Sequence, residues 1–527
     1  MGKILQIDLS KRQIGKESLN QDWTKLFIGG KGLAAKYLYE GLKPHTDPLS
    51  PENMLIFMTG PVMGTDPHPP AAAKGVVVTK SPATYTFLDS YFGGNFAAEM
   101  KYAGFDGMII RGKAEELCYV YINDGDVEIK SAGHLKGKGV YETTDMIHKE
   151  VGDPSVKVAA IGPAGENLVK FACISFERHH QAGRGGSGAV MGSKNLKAIA
   201  VKGTGKVEVH DPKTWREFVR ETIKKEIMEN PATEVTRKAG TPNIVDLSNN
   251  VGILPTRNFQ NGVFEHANDI NWDAIRENIF VKKTACHKCP MACRNIVEVR
   301  RGPFKGLTIE GPEYETLALA GSNCGVKDLN AIVKFNDLCD DLGLDTISTG
   351  NATAFAMECF EKGIITRKET EGLELKFGSV ENYLKVPSLI ANRKGIGGIL
   401  ADGVKKAAEK IDKGCEYFAL HVKGLEYPGY DPRGSFGMAL AYATSDRGAC
   451  HMRAWPVAYD ALGNLNPFTH EGKAKLCIDD QNLNSIKWSL IFCDFYPIGY
   501  PTMAKFYSLA TGRTLSEEDL MLTGERI

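Results

Sequence analysis

The sequence predicts an α+β fold: a sheet-rich N-terminal domain over residues 1–208, then two mainly helical domains over 209–417 and 418–527. Three observations carry this reading. A chain of 527 residues exceeds what one hydrophobic core organises, so several domains are expected. Short β-rich runs separated by glycine fill the first two hundred positions. After Asp211-Pro212 the apolar spacing changes to that of amphipathic helices.

In chain order, strands are expected in "MLIFMTG", "GVVVTKS", "DGMIIRG", "LCYVYIND" and "VKVAAIG", with "LKAIAVKGTGKVEVHDP" closing the domain. The helical region opens with "TWREFVRETIKKEIMEN". A clear helix follows Asp328, a good N-cap, with Leu329, Ile332, Val333, Phe335, Cys339 and Leu342 on or beside one face and Gly343 as its stop. Another runs through "NATAFAMECFEKG". From about residue 418, Gly/Pro-rich loops such as "KGLEYPGYDPRGS" alternate with more helix.

Lys+Arg and Asp+Glu balance at 64 each, so no global field points to nucleic acid or an anionic membrane. The N-terminus carries charge too early for a secretory signal, and no apolar run reaches membrane-spanning length. A cytoplasmic protein without nucleic-acid or membrane partners is expected.

Twelve cysteines are too dilute for a disulfide scaffold. Cys118, Cys173, Cys339 and Cys359 stand alone and read as small buried hydrophobes. Cys286, Cys289 and Cys293, in "TACHKCPMACRN", are clustered. Their spacing alone is compatible with an iron–sulfur cubane, a zinc site or a metal-free loop. No second close pair follows, and one distant cysteine completing a set of four would suit an iron–sulfur cluster. Cys493, where an apolar run enters a turn, is the best candidate, although spacing does not force it.

"GRGGSG" (183–188) fits G-x-G-x-x-G, and "GKGLAA" (30–35) fits its Ala-ending form. Neither has the context of a dinucleotide site: "SFERHHQA" is no buried strand, and no acidic residue stands about 20 positions on. They read as tight turns, with the alternative that glycine backbone and Arg184 approach an anionic cofactor. Taken singly, Glu313 reads as a solvated or capping residue and His451 as a structural histidine.

Several motifs in one order change that. "ILQIDLSKRQI", "LFIGGKGLAAKYLYE", "SPENMLIFMTGPVMGT", "GRGGSGAVMGSKNLKAIAVKG", "CHKCPMAC", "EGPEYETLALAGSNCGV", "DDLGLDTISTG", "ATSDRGACHMRAWP" and "FCDF" together resemble the aldehyde:ferredoxin oxidoreductase family over nearly the whole chain. The resemblance implies a tungsten (or molybdenum) bis-pterin of the molybdopterin type, a [4Fe–4S] cluster, and Mg2+ bridging the pterin phosphates. It assigns the cluster to Cys286, Cys289, Cys293 and Cys493. The N-terminal domain becomes a base beneath the pterins, with contacts from Lys74, Asn95, Arg184 and Gly185. Asp340, Gly343, Leu344 and Asp345 form a D-x-x-G-L-D pterin motif. Glu313 becomes the proton acceptor beside the metal, and His451 orients the substrate oxygen. The implied reaction oxidises a small aldehyde to the acid and passes electrons through the cluster to ferredoxin or a ferredoxin-like subunit, in a possible homodimer.

Three departures from the family pattern stand out. Trp488 occupies the place of an Asp five residues before the last cluster cysteine, with Asn484 or Ser489 as conceivable replacements. Lys74 stands where an Arg is typical. The chain ends at "LTGERI", where relatives usually continue, so the C-terminal domain is expected to be shortened. The competing readings are a carboxylate or benzoyl-coenzyme A reductase-type subunit acting in reverse, and a catalytically idle iron–sulfur electron-transfer protein.

Overall fold

The computed structural model describes residues 2–527. The N-terminal part is built on two six-stranded mixed sheets. The first joins β1 (Lys3–Asp8), β2 (Gln13–Ser18), β3 (Leu55–Met58), β4 (Gly75–Lys80), β5 (Phe87–Phe92) and β6 (Gly107–Arg111) in the order β2-β1-β6-β3-β4-β5. The second joins β7 (Cys118–Asn123), β8 (Asp126–Ser131), β9 (Lys157–Ala160), β10 (Ile174–Phe176), β11 (His180–Ala182) and β12 (Leu196–Lys202) in the order β11-β10-β9-β12-β7-β8. Each sheet has one parallel junction, β1 with β6 and β7 with β12, and is otherwise antiparallel. All six runs read as strands from the sequence contain one. Continuous apolar runs such as β3 are buried along their whole length, as expected of strands covered on both faces.

Helices cover these sheets more than the sequence reading allowed. The burst "FIGGKGLAAKYL" opens helix α1 (Gly30–Gly41). Gly30 has a φ of +38°, and a Cβ there would fall on the carbonyl oxygen of Trp488. Glycine therefore lets α1 close against the C-terminal helix Lys473–Leu490. "GRGGSG" likewise makes a packed turn: Gly185 and Gly186 have φ of +83° and +87°, and a Cβ at Gly185 would strike Leu88.

In the helical part, α2 (Leu329–Leu342) starts where Asp328 accepts hydrogen bonds from the Asn330 and Ala331 amides, and ends at Gly343 with φ +72°. Asp345 then caps α3 (Thr346–Glu361), accepting from the Ile347 and Ser348 amides. The D-x-x-G-L-D segment is thus a helix stop followed at once by a helix start. Outside the runs expected to be strands lies a three-stranded antiparallel meander, β13 (Phe280–Thr284), β14 (Arg294–Glu298) and β15 (Thr308–Glu310), whose first connection is the cysteine loop. Its lysine-rich first strand has no fully buried residue and lacks the apolar alternation that marks a strand.

Trp488 and Ile491 pack into the core of the N-terminal sheets. A separate core joins Ile28 and Val62 to Trp215, Met291, Phe492, Cys493, Tyr496 and Phe506, with Cys289 and Cys293 against its edge. Each fully buried side chain of this size contributes about 1.5–3 kcal/mol. That core folds the end of the chain onto the cysteine loop. Among the described residues no helix is long and apolar enough to cross a membrane.

Candidate active site

The loop between β13 and β14 holds Cys286, Cys289 and Cys293 half-buried, and Cys493 comes to them inside the shared core. Burial pushes the Cys293 thiol up to about 12, reinforced by the negative charges of Glu313, Cys286 and Cys289. Burial also raises Cys493, which feels Cys293 in the same way while Lys74 opposes the rise. Lys74 is the counter-charge of the set. Burial penalises its ammonium, but Cys493, Cys286, Asp494 and Cys293, once ionised, outweigh that and raise its proton affinity above the usual lysine value. Among the described residues no three His, Cys, Asp or Glu side chains are arranged to hold a single ion. A lone tetrahedral zinc would need sulfurs within about 4 Å of one another.

The turn after β5 seats this loop. A Cβ on Gly93 would lie 2.6 Å from Sγ of Cys286. The His287 amide donates to the Gly94 carbonyl at 3.1 Å, and Asn95 Oδ1 lies 3.1 Å from His287 Nδ1. The Asn95 amide group donates to Glu177 at 2.9 Å. Asn95 therefore braces the cysteine loop, with both ends of its side chain occupied.

Arg184 crosses from the glycine turn into the helical part. It donates to the carbonyl oxygens of Ala449 and Glu426 at 2.7 and 2.5 Å, and its Nε stands 3.7 Å from Asp345. Asp340 accepts from Gln181 and Asn336, each at 2.9 Å. Gly343 and Leu344 dock on the N-terminal part: the Cys173 amide donates to the Gly343 carbonyl, and Leu344 bridges to Ala172. The structure thus gathers Arg184, Gly343, Leu344 and Asp345 at one junction.

His451 meets Glu315, not Glu313. Its Nδ1 lies 3.5 Å from Glu315 Oε1, and both atoms are buried without a hydrogen-bond partner. The other Glu315 oxygen accepts from the Gly429 amide at 2.8 Å. Burial raises the Glu315 carboxyl to about 7; Gly429 and Arg184 pull it down, and Asp345 pushes it up. Burial and the charges of Arg184 and Arg447 depress His451 to about 3. A neutral imidazole thus faces a carboxyl that exchanges its proton near neutrality. Glu313 turns the other way, accepts from Thr241 Oγ1 and faces Cys293. Two glutamates flanking one tyrosine are equivalent in the sequence; the placement of Gly429 and His451 distinguishes them.

Beside the pair lies a buried basic group, Lys31, Arg184, Arg447 and Arg453, with Asp89 as its fully buried carboxylate. The Trp488 ring covers part of it: Lys31 and Arg453 sit 5.6 and 5.2 Å from its centroid, and Tyr91 packs at 4.5 Å. Both cations pair with Asp89 and with Asp446. Asn484 donates to the Met452 and Arg453 carbonyls, and Ser489 is held between the Gly32 amide and the Ser485 carbonyl. Both possible stand-ins for the absent aspartate are engaged in these structural bonds.

Comparison with known proteins agrees along the whole chain. Residues 4–203 match the family described as "Aldehyde ferredoxin oxidoreductase, N-terminal domain", and residues 218–527 match its domains 2 and 3. A tungsten-containing aldehyde ferredoxin oxidoreductase of Pyrococcus horikoshii is 41% identical over 535 residues, covering 100% of this chain and 87% of the relative. A Pyrococcus furiosus protein described as an aliphatic sulfonate oxidoreductase, WOR-like subunit, is 36% identical over 473 residues, covering 85% of this chain and 74% of its own. Among solved structures, the active-site complex of benzoyl-coenzyme A reductase with 1,5-dienoyl-CoA matches with a TM-score of 0.86 at 28% identity, covering 100% of this chain and 87% of that one.

Proposed function

Because the chain belongs to the aldehyde ferredoxin oxidoreductase family, we propose that it oxidises small aldehydes to carboxylic acids, using a tungsten bis-pterin and a [4Fe–4S] cluster, with ferredoxin as electron acceptor. The observation that carries this reading is the Glu315–His451 pair, a proton acceptor near neutrality beside a neutral imidazole.

The residues present fit the two groups. Cys286, Cys289, Cys293 and Cys493 would hold the cluster, with Lys74 balancing their charge. Buried nitrogens without a hydrogen-bond partner, Arg184 Nε and Arg453 Nη1, suit polyanionic pterin phosphate. Asp345 and the Gly343–Leu344 backbone stand at the same junction. When bound, the metal–pterin supplies a two-electron acceptor and the cluster a one-electron exit.

The balance is RCHO + H2O → RCOOH + 2 H+ + 2 e−. Glu315 receives a proton, for which burial has matched its affinity to neutral pH. The neutral His451 ring faces Glu315 through Nδ1 at 3.5 Å, and its other ring nitrogen is left to orient the substrate oxygen. The buried rings of Tyr314 and Tyr430, with Trp455 against Tyr430, wall the pair with apolar surface. The half-exposed cysteine loop is the exit toward ferredoxin.

The test is metal analysis of anaerobically purified protein with an aldehyde panel and a viologen acceptor. About four iron and about one tungsten or molybdenum per chain, with aldehyde-dependent reduction, are expected. Iron without either heavy metal, and no turnover, would favour the idle electron-transfer reading. Because of the dienoyl-CoA complex, aromatic coenzyme A thioesters are assayed in parallel, and turnover of these alone would replace the aldehyde reading.

A further inference from the structure

Tyr496 belongs to none of the motifs above. Its side chain is buried, and its hydroxyl oxygen stands 3.0 Å from Sγ of Cys289. The Met291 amide donates to the same oxygen at 3.1 Å, so the acceptor side of the hydroxyl is used and its hydrogen remains available. A cysteine bound to iron is a thiolate and carries no hydrogen, so within this pair only the phenol can donate. The ring is held in place. Lys487 donates to the Tyr496 carbonyl at 2.9 Å, the Tyr496 amide donates to the Cys493 carbonyl at 3.3 Å, and the ring packs in the core that contains Met291 and Phe492.

We propose that Tyr496 raises the reduction potential of the cluster by donating an O–H···S hydrogen bond to the Cys289 thiolate. This rests on the reading that Cys289 is a cluster ligand. Reduction adds an electron to the cluster and increases the negative charge on its sulfurs. A donor aimed at one of them therefore stabilises the reduced state more than the oxidised state. Tyr496 is a positioning residue: it touches a ligand sulfur and neither aldehyde nor heavy metal.

The experiment is a redox titration of the cluster in full-chain holoenzyme, followed by its paramagnetic signal, for wild type and Tyr496→Phe. Phenylalanine keeps the ring and removes only the hydroxyl. Iron content is expected to stay at the wild-type level, while the reduced-to-oxidised ratio at the wild-type midpoint falls about tenfold, a negative shift of about 59 mV for one electron. An unchanged midpoint with full iron overturns the proposal and leaves the ligand assignment standing. A Cys289→Ser variant that keeps the wild-type iron content and signal overturns the ligand assignment, and the proposal with it. If Tyr496→Phe fails to hold iron, Tyr496→His, which retains a ring N–H donor, is compared with Tyr496→Leu. A higher potential in the His variant supports the proposal, and equal potentials overturn it.

Discussion

Replacing Glu315 with glutamine separates the two glutamates of "PEYET" by chemistry. Burial lifts the Glu315 carboxyl from 4.5 to about 7, against the Gly429 hydrogen bond and the Arg184 charge and with help from Asp345. A group titrating at 7 is about one-eleventh ionised at pH 6 and ten-elevenths at pH 8, so kcat/KM for an aldehyde should rise about tenfold across that interval. His451 adds no second limb, because it stays neutral down to about 3. Glutamine keeps the shape and can still accept from Gly429, but it takes no proton. Turnover should fall about 10²–10⁴-fold and the pH limb should vanish. Stability should move the other way. The folded state binds this proton more tightly than the unfolded chain, so Glu315's contribution is fully present below 4.5 and is lost as pH rises to about 7. The loss is about 3 kcal/mol. At pH 8 the variant should therefore unfold at a higher temperature than wild type. Viologen-linked kinetics from pH 5.5 to 9 and thermal melts read both effects. The reasoning fails if Glu315→Gln keeps half its activity with the limb in place, or if Glu313→Gln shows the collapse instead.

Three further outcomes are expected. His451→Asn should slow aldehyde oxidation while iron and tungsten stay at wild-type content, and wild-type kinetics would remove the imidazole from the reaction. Gly93→Ala places a methyl group 2.6 Å from Cys286 Sγ and should lower iron per chain. Gly133→Ala, where nothing lies within 4 Å, is the control and should leave iron unchanged; equal iron in both would show that the turn does not seat the loop. Cys493→Ser should abolish the optical and paramagnetic signature of the cluster, and an intact signature would place the fourth ligand elsewhere.

What the sequence disclosed follows from how local each signal is. Strands such as "GVVVTKS" and the Asp328-to-Gly343 helix are set by residues within one window, and the structure has them where their patterns put them. Helix α1 was hidden because its glycines mimic a turn. Their purpose lies more than 400 residues away, in the close approach of the Trp488 backbone at Gly30. The meander β13–β15 was hidden because its strands are short and charged, and the cysteine loop itself supplies its first connection.

The site divides along the same line. Three cysteines within eight positions announce themselves; Tyr496 does not, because a tyrosine three residues after a cysteine is unremarkable until Met291 and Cys289 are seen on either side of its oxygen. Glu313 and Glu315 carry the same chemistry two residues apart, and the chain leaves extended geometry for a helical turn between them. That change of backbone sends one carboxylate toward Thr241 and Cys293 and the other toward Gly429 and His451. No spacing rule distinguishes them, since the deciding partners lie more than 100 residues further along the chain. Trp488 makes the complementary point. The missing aspartate is visible as a departure in the sequence, but its consequence is tertiary. Lys31 and Arg453 lie against the indole ring and take Asp89 and Asp446 as their carboxylates, so the charge balance there is met by residues outside the motif.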